Sequence, residues 1–168
     1  MKTGILLINL GTPDSPSTRD VRIYLRELLS CERVIDINPV IRWFVLNLLI
    51  LPFRPRKSAK AYKKIWMDEG SPLLVFSEKL KTALLEQFAE KDIPLELGMQ
   101  CRKPSLKTAI AKLRGQNCDQ IIVLPLYPQY ASSSYGAAIE DLYKVILNDW
   151  NIPLLRIIPP FFSDSRFI

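Results

Sequence analysis

Four short apolar runs, separated by segments with helical spacing, constrain the fold of this chain more than any other feature. The runs cover residues 4–9, 94–99, 120–126 and 153–158. Runs that are apolar throughout are typical of strands in parallel sheets, which are covered on both faces. Their alternation with helical segments predicts an α/β domain, a doubly wound four-stranded parallel sheet with helices on both faces.

Two consecutive helices are predicted in the first half of the chain. The first begins at Val40 and ends at Leu51, is apolar on nearly every face, and is expected to end because Pro52 and Pro55 follow. It contains an arginine and an asparagine and is too short to span a bilayer. Such a helix is more often buried core, but its near lack of a polar face favours an exposed lip, and we predict that it projects.

The second of these helices is basic. Its six cations have no acidic residue among them: Arg54, Arg56, Lys57, Lys60, Lys63 and Lys64. A run of this kind is usually a solvated helix face, and the alternatives are a carboxylate clamp, nucleic acid or a lipid surface. Nucleic acid ranks last and is not expected as a partner, because the run lacks a recognisable nucleic-acid motif and interleaved aromatic residues.

Composition narrows the chemistry further. There is no histidine among the 168 residues, which excludes a Ser-His-Asp triad, a Cys-His pair and a His-ligated metal site within this chain. The net charge of +6 favours anionic partners only weakly. Three cysteines without a CxxC pair, and no signal peptide, indicate reduced buried thiols in a cytoplasmic protein.

Ligands of doubly wound sheets bind beyond the carboxyl ends of the strands, where three loops are expected. The loop at residues 9–13 has neither a GxGxxG nor a P-loop pattern, so a nucleotide has little support. The loop at residues 127–136 is rich in hydroxyl groups. Separately, Ser71 is interpreted either as a plain helix N-cap or as an exposed helix start that receives an anionic group.

Taken together, the motifs resemble the N-terminal half of ferrochelatase, the enzyme family of heme biosynthesis that inserts iron into a porphyrin. The matching stretches occur in the family's order along almost the whole chain: residues 7–14 (LINLGTPD), 21–25, 33–35, 57–66 (KSAKAYKKIW), 70–74 (GSPLL), 98–99 with 104–105, and 123–130 (VLPLYPQY). The LPLYPQY and GSPL segments are the most specific in combination.

The resemblance implies a two-lobed chelatase, a lyase with a porphyrin cleft between its lobes. Residues 1–168 would be the N-terminal porphyrin-binding lobe, truncated before the C-terminal lobe, and the helix-like start at residues 163–168 fits this expectation. The family's pyrrole-facing His and its Glu partner lie in the C-terminal half. No catalytic residue and no metal ligand is therefore expected in this chain, which should be inactive alone; ferrous iron is the substrate of the complete enzyme, with protoporphyrin IX or coproporphyrin III.

Carried over by position, six residues of this sequence match porphyrin-contacting or cleft positions of the family: Leu10, Arg54, Tyr62, Ser71, Tyr127 and Ser133. In the family, the residue at Leu10 lies against the macrocycle face opposite the His. The arginine at position 54 is expected to grip a propionate in bidentate fashion.

Departures from the family pattern limit what is carried over. Bacterial relatives usually follow Gly-Met with a polar residue, Tyr, Gly and another residue, but here the Tyr is replaced by Cys101 and the Gly by Arg102. The second Thr of the family's hydroxyl-rich loop is Tyr135. Some relatives place an iron–sulfur ligand Cys where this chain has Ser132, so no iron–sulfur ligand is expected there.

Three functional alternatives are weighed on the sequence. The first is the porphyrin-binding half of a ferrochelatase, and the second is a non-catalytic tetrapyrrole-binding or membrane-partner module. The third, a chelatase for another tetrapyrrole or metal, is disfavoured because the small cobalt- and siroheme-type chelatases lack this LPLYPQY context. The apolar lip would suit a membrane surface, with a location peripheral to the inner membrane, or the interface of a homodimer.

Overall fold

The computed structural model describes the whole chain, residues 1–168, which folds as two compact units. The first, called the sheet unit below, comprises Met1–Leu10, Ser77–Gln100 and Pro104–Ile168. The second, the helical unit, comprises Gly11–Phe76 and Cys101–Lys103.

The sheet unit contains a parallel sheet. Its strands are β1 (Lys2–Gly11), β2 (Leu95–Cys101), β3 (Cys118–Pro125) and β4 (Leu154–Ile157) in the order β2-β1-β3-β4. The predicted α/β class with a four-stranded, all-parallel sheet flanked by helices is confirmed. Because β2 and β3 lie on opposite sides of β1, the strand order reverses between β1 and β3, and the carboxyl ends of these two strands form the switch point of the sheet.

The core of the sheet unit lies where β1 and β3 pack against α5 (Leu106–Gly115) and α6 (Ala137–Ile146). Its largest side chains have almost no exposed surface: Leu6, Ile8, Ile110, Leu113, Ile121, Val123, Leu142 and Ile146. Each such side chain stabilises the fold by about 1.5–3 kcal/mol relative to an exposed one. The switch point is therefore supported by the best-packed part of the molecule.

The helical unit contains α1 (Thr18–Ser30), α2 (Pro39–Phe44), a π-helical segment (Val45–Ile50) and α3 (Leu51–Ile65). A further helix, α4 (Pro72–Gln87), begins in the helical unit and continues into the sheet unit. The Ser17 side chain accepts a hydrogen bond from the Asp20 backbone N–H at 3.1 Å and so caps the start of α1. Helix α1 packs along α3.

The prediction that prolines separate two helices after Leu51 is wrong. The helical backbone continues from residue 39 to residue 65, because the Leu51 N–H donates to the Leu46 carbonyl in a wide π-type turn directly before Pro52. Pro55 has no N–H to donate to the Leu51 carbonyl one turn earlier. Arg22 replaces that donor from α1, with its Nε 3.2 Å from the Leu51 carbonyl oxygen.

The first half of this long helix exposes large apolar side chains. Helix α2 has no buried residue. Seven side chains, which we call the apolar lip, are each at least half exposed: Val40, Ile41, Trp43, Phe44, Leu48, Leu49 and Phe53. Leu46 and Leu51 are buried and attach the helix to its unit. The predicted exposure of this segment is confirmed, and none of the helices has the length and apolarity that a membrane span requires.

Candidate functional site

In the sheet unit, Leu10 and Tyr127 lie at the switch point. The segment after β3 stays beside β1, because the Leu126 N–H donates to the Ile8 carbonyl at 2.7 Å. At the end of β1, the Leu10 N–H donates to Asn9 Oδ1 at 2.8 Å, and Asn9 Nδ2 donates to Ser77 Oγ at 3.1 Å. Both candidate side chains are half-buried. They thus stand on fixed backbone at the position where such sheets bind ligands.

The Tyr127 side chain is oriented by a polar cluster that sequence analysis missed. Its ring packs against the core, and its hydroxyl lies 3.5 Å from Gln100 Oε1, at the long limit of a hydrogen bond. Gln100 also hydrogen-bonds to the Asp141 carboxylate. Burial raises the pKa of Asp141, whereas nearby Lys144 and the bond from Gln100 lower it. The three side chains come from β2, α6 and the loop after β3, so no local pattern could reveal them.

Ser133 lies in a π-helical turn, Ser132–Gly136, and its side chain is exposed. In the same turn, the Tyr135 hydroxyl donates to the Ile158 carbonyl at 2.9 Å, and burial raises the pKa of Tyr135. The Tyr135 ring also packs on Tyr130 with centroids 5.8 Å apart. The turn therefore holds its aromatic residues in fixed positions and leaves Ser133 accessible.

In the helical unit, Arg54 and Tyr62 lie on α3, about 12 Å apart along the helix axis at 1.5 Å per residue. Arg54 is exposed and makes no ion pair. The Tyr62 ring meets Tyr24 edge-on with centroids 6.3 Å apart, and Trp66 at 6.1 Å. Burial raises the pKa of Tyr62. The helix thus presents one unpaired guanidinium and one fixed aromatic ring.

Ser71 is not an exposed helix start, contrary to one of its two interpretations. Its side chain is 3% exposed, and Thr12 Oγ1 donates to Ser71 Oγ at 2.7 Å. Thr12 lies 59 residues earlier in the chain, so this partner could not be read from the sequence around Ser71. Since a hydroxyl both accepts and donates, Ser71 keeps its own O–H for another acceptor.

Gly11 connects this pair to β1 through a close backbone approach. Its φ is +95°, and a Cβ placed on it would lie 1.9 Å from the Cys101 carbonyl oxygen. Only glycine fits both the left-handed conformation and the contact. A glycine at position 11 is therefore required by a neighbour about 90 residues away in the chain.

Some candidate residues thus have a hydrogen-bond partner within their own unit, whereas others are exposed. Ser71 is joined to Thr12, and Tyr127 to Gln100, whereas Arg54 and Ser133 are exposed. No group of three or more His, Cys, Asp or Glu side chains is placed to hold a metal ion. The candidates of the sheet unit offer apolar and hydroxyl groups, and those of the helical unit offer one aromatic ring, one hydroxyl and one guanidinium.

Comparison with known proteins decides the family. The sequence model of the family named "Ferrochelatase" matches residues 2–168. This chain belongs to the ferrochelatase family. Ferrochelatase of Coxiella burnetii (strain RSA 493 / Nine Mile phase I) is 53% identical over 167 residues, covering 99% of this chain and 46% of the relative. Ferrochelatase of Legionella pneumophila (strain Corby) is 45% identical over 169 residues, covering 100% of this chain and 50% of the relative.

A third ferrochelatase, from Marinomonas sp. (strain MWYL1), is 46% identical over 168 residues, covering 98% of this chain and 51% of its own length. The chain spans about half the length of the curated relatives it matches, and that half is the N-terminal one. The resemblance to ferrochelatase deduced from the sequence motifs is confirmed.

Cys101 contributes to the packing at the end of β2. Its side chain is buried, and its carbonyl lies against Gly11. No disulfide joins the cysteines: Cys101 and Cys118 are buried, Cys31 is half-buried, and burial raises the pKa of Cys118. Position 101 of this ferrochelatase family member therefore contributes a buried, free thiol.

Proposed function

We propose that this chain is the porphyrin-binding half of an enzyme that inserts ferrous iron into a porphyrin, protoporphyrin IX or coproporphyrin III, in heme biosynthesis. The observation that carries this proposal is the match to ferrochelatases along 99% of the chain, at up to 54% identity. The chain alone does not insert metal in this proposal, because it contains no imidazole to take up pyrrole protons.

The proposed contacts follow from the shape of the ligand, a flat apolar disc with two carboxylates on one edge. Leu10 and Tyr127 cover part of the disc, and Tyr62 and Ser133 contact it at further positions. The unpaired Arg54 guanidinium grips one propionate through two parallel N–H···O bonds. Ser71 is proposed to donate the hydroxyl proton that Thr12 leaves unused to a propionate oxygen, which requires the propionate to reach a side chain that is 3% exposed in the free chain.

These contacts have a role in the chemistry even without a base in this chain. Metal insertion requires the loss of two pyrrole protons and a bent macrocycle, so that the nitrogen lone pairs point at the iron. Binding free energy from the disc and its propionates holds that bent geometry. Iron enters as substrate, and no residue of this chain is proposed as its ligand; Ser132 is likewise proposed to bind no iron–sulfur cluster.

Arg54 provides the sharpest test of this function. We expect Arg54→Leu to weaken protoporphyrin binding to this chain by about 5- to 150-fold, the equivalent of the 1–3 kcal/mol of one charge-assisted contact. Quenching of porphyrin fluorescence measures the Kd. Arg56→Leu is the matched control, because Arg56 is also an exposed cation of α3. Porphyrin dimethyl ester should bind equally to wild type and Arg54→Leu.

The opposite outcome has a clear meaning. If Arg54→Leu weakens binding of free-acid and esterified porphyrin equally, or no more than Arg56→Leu does, Arg54 belongs to a solvated basic face and is not a propionate clamp. A wild-type chain that binds neither porphyrin at micromolar concentration would contradict the proposed function itself.

Iron insertion by a hybrid enzyme separates the enzyme from the non-catalytic alternative. We propose joining residues 1–168 to the remaining half of the Coxiella burnetii relative, which has 53% identity to this chain in the shared half. The hybrid should form heme from ferrous iron and protoporphyrin. A folded hybrid that binds porphyrin without inserting iron would favour a non-catalytic tetrapyrrole-binding module.

We also propose that the apolar lip contacts a membrane surface, so that the protein is cytoplasmic and peripheral to the inner membrane. The support is seven large apolar side chains exposed on one helix, an exposed patch of the kind that marks interaction surfaces. The double variant Trp43→Glu/Leu49→Glu should no longer sediment with phospholipid vesicles. If light scattering instead shows that the wild type is a dimer and the variant a monomer, the lip is the interface of a homodimer.

A further inference from the structure

We propose that Arg102 is a positioning residue for porphyrin binding, because it fixes residues 11–14 and thereby the Thr12–Ser71 hydroxyl pair. The ligand in this inference rests on the proposed function; the positioning itself rests on contacts within the helical unit. Arg102 lies in the short connection between β2 and α5.

The Arg102 guanidinium joins two separate parts of the helical unit. Its Nη1 donates to Glu27 Oε1 at 2.9 Å, on α1, and its Nη2 donates to Asp14 Oδ2. The Arg102 backbone N–H also donates to Glu27 Oε2 at 2.9 Å. The Arg102 side chain is 17% exposed, whereas the Asp14 and Glu27 side chains are 38% and 41% exposed, so water screens these ion pairs in part. A planar fork holds the two carboxylates on separate nitrogens in a fixed geometry, whereas a lysine would hold both on one freely rotating ammonium group.

The backbone conformation shows that the ion pairs compensate for unfavourable features. Arg102 has a φ of 71°, in the left-handed region that is uncommon for residues other than glycine. Its Nε is buried without a hydrogen-bond acceptor. A glycine would avoid both features, so the arginine is useful only for what its side chain holds, the carboxylates of Asp14 and Glu27.

Residues 11–14, which Arg102 contacts through Asp14, include the hydrogen-bond partner of Ser71. Asp14 is two residues after Thr12, and Pro13 between them restricts the backbone. On the other side, Gly11 lies against the Cys101 carbonyl, the residue before Arg102. Residues 11–14 are thus held at both ends by residues 101 and 102, and Thr12 between these points donates to Ser71. Loss of the Arg102 ion pairs should free the end at Asp14.

Backbone NMR relaxation of the full chain tests the positioning directly. In Arg102→Gly, which suits the left-handed backbone, order parameters at Thr12 and Asp14 should fall from about 0.85 to below about 0.6. They should fall less in Arg102→Lys and stay unchanged in Lys103→Ala, the neighbouring exposed cation. Asp14→Asn, which leaves the bond to Glu27 intact, should loosen the same residues if Arg102→Gly fails to fold. Unchanged order parameters in the folded variants would overturn the proposal.

Porphyrin binding tests the consequence. Arg102→Gly should raise the Kd for protoporphyrin about tenfold through faster dissociation, and should leave the Kd for the dimethyl ester unchanged. Loosened residues with an unchanged Kd would overturn the role in binding. A wild-type chain that binds no porphyrin would instead contradict the proposed function, and the relaxation data would still decide whether Arg102 fixes residues 11–14.

Discussion

Two apolar segments of this chain have similar composition and opposite environments. In β1, Leu6, Leu7 and Ile8 have no exposed surface. In the apolar lip, Trp43 is 58% exposed and Leu49 is 64% exposed. Both segments are rich in Leu, Ile and Val, so hydrophobicity alone does not determine which of them is buried.

The difference lies in how each element satisfies its backbone. A strand in the middle of a sheet needs neighbours on both sides for its hydrogen bonds, so its side chains are carried into the core. A helix satisfies its own backbone and needs only one packed stripe, here provided by Leu46 and Leu51. The remaining apolar side chains of the lip are therefore available for another surface.

The largest expected difference between the two segments is the loss of stability when one leucine in each is truncated to alanine. Leu6→Ala removes a fully buried side chain of the core and should lower the free energy of unfolding by about 2–5 kcal/mol. Leu49→Ala should change it by no more than about 0.5 kcal/mol. Urea denaturation followed by circular dichroism measures both. Equal losses would mean that the lip is packed in solution.

Two glycines sharpen the comparison at the end of β1. Gly11 and Gly70 have φ values of +95° and +134°, but only Gly11 has a neighbour within 4 Å of an added Cβ. Both alanine variants should be destabilised by strain of about 1–3 kcal/mol. Gly11→Ala should lower the free energy of unfolding by roughly 1–3 kcal/mol more, because the added Cβ clashes with the Cys101 carbonyl. If Gly70→Ala has a lower melting temperature than Gly11→Ala, this account of the contact is wrong.

The helix that carries the lip depends on Arg22, and a double-mutant cycle measures by how much. Arg22→Met leaves the buried Leu51 carbonyl without its donor and should destabilise the chain by about 1–3 kcal/mol. Pro55→Ala restores the N–H one turn later, so Arg22→Met should cost less in that background. Additive losses would show that the two donors do not serve the same carbonyl.

The smallest effect concerns charge in the sheet unit. Burial raises the pKa of Asp141 above its ordinary value, and Lys144, 3.6 Å away, opposes the shift. Lys144→Met should therefore raise this pKa further, whereas Lys107→Met, an exposed cation of α5, should not. Carboxyl-carbon NMR titration measures the pKa. A decrease in Lys144→Met would exclude the cation as an opposing influence.

The fold was predictable where neighbours in sequence decide the structure. The four strands followed from short apolar runs. Distant partners decide the rest. Leu51 depends on Arg22, and Ser71 on Thr12, 29 and 59 residues away. The same holds for Arg102, whose partners lie 75 and 88 residues earlier. No local pattern encodes such pairs, so the long helix, the buried hydroxyl pair and the positioning arginine appear only in the folded chain.

We propose that this chain binds porphyrin and does not insert the metal by itself. The direct measurement adds zinc or ferrous iron to protoporphyrin in the presence of the purified 168-residue chain and follows the absorbance. We expect a shifted porphyrin spectrum that shows binding, with metalloporphyrin forming no faster than in buffer alone. Metalloporphyrin formation above the protein-free rate would contradict the claim, because a chain without histidine would then carry out the insertion by itself.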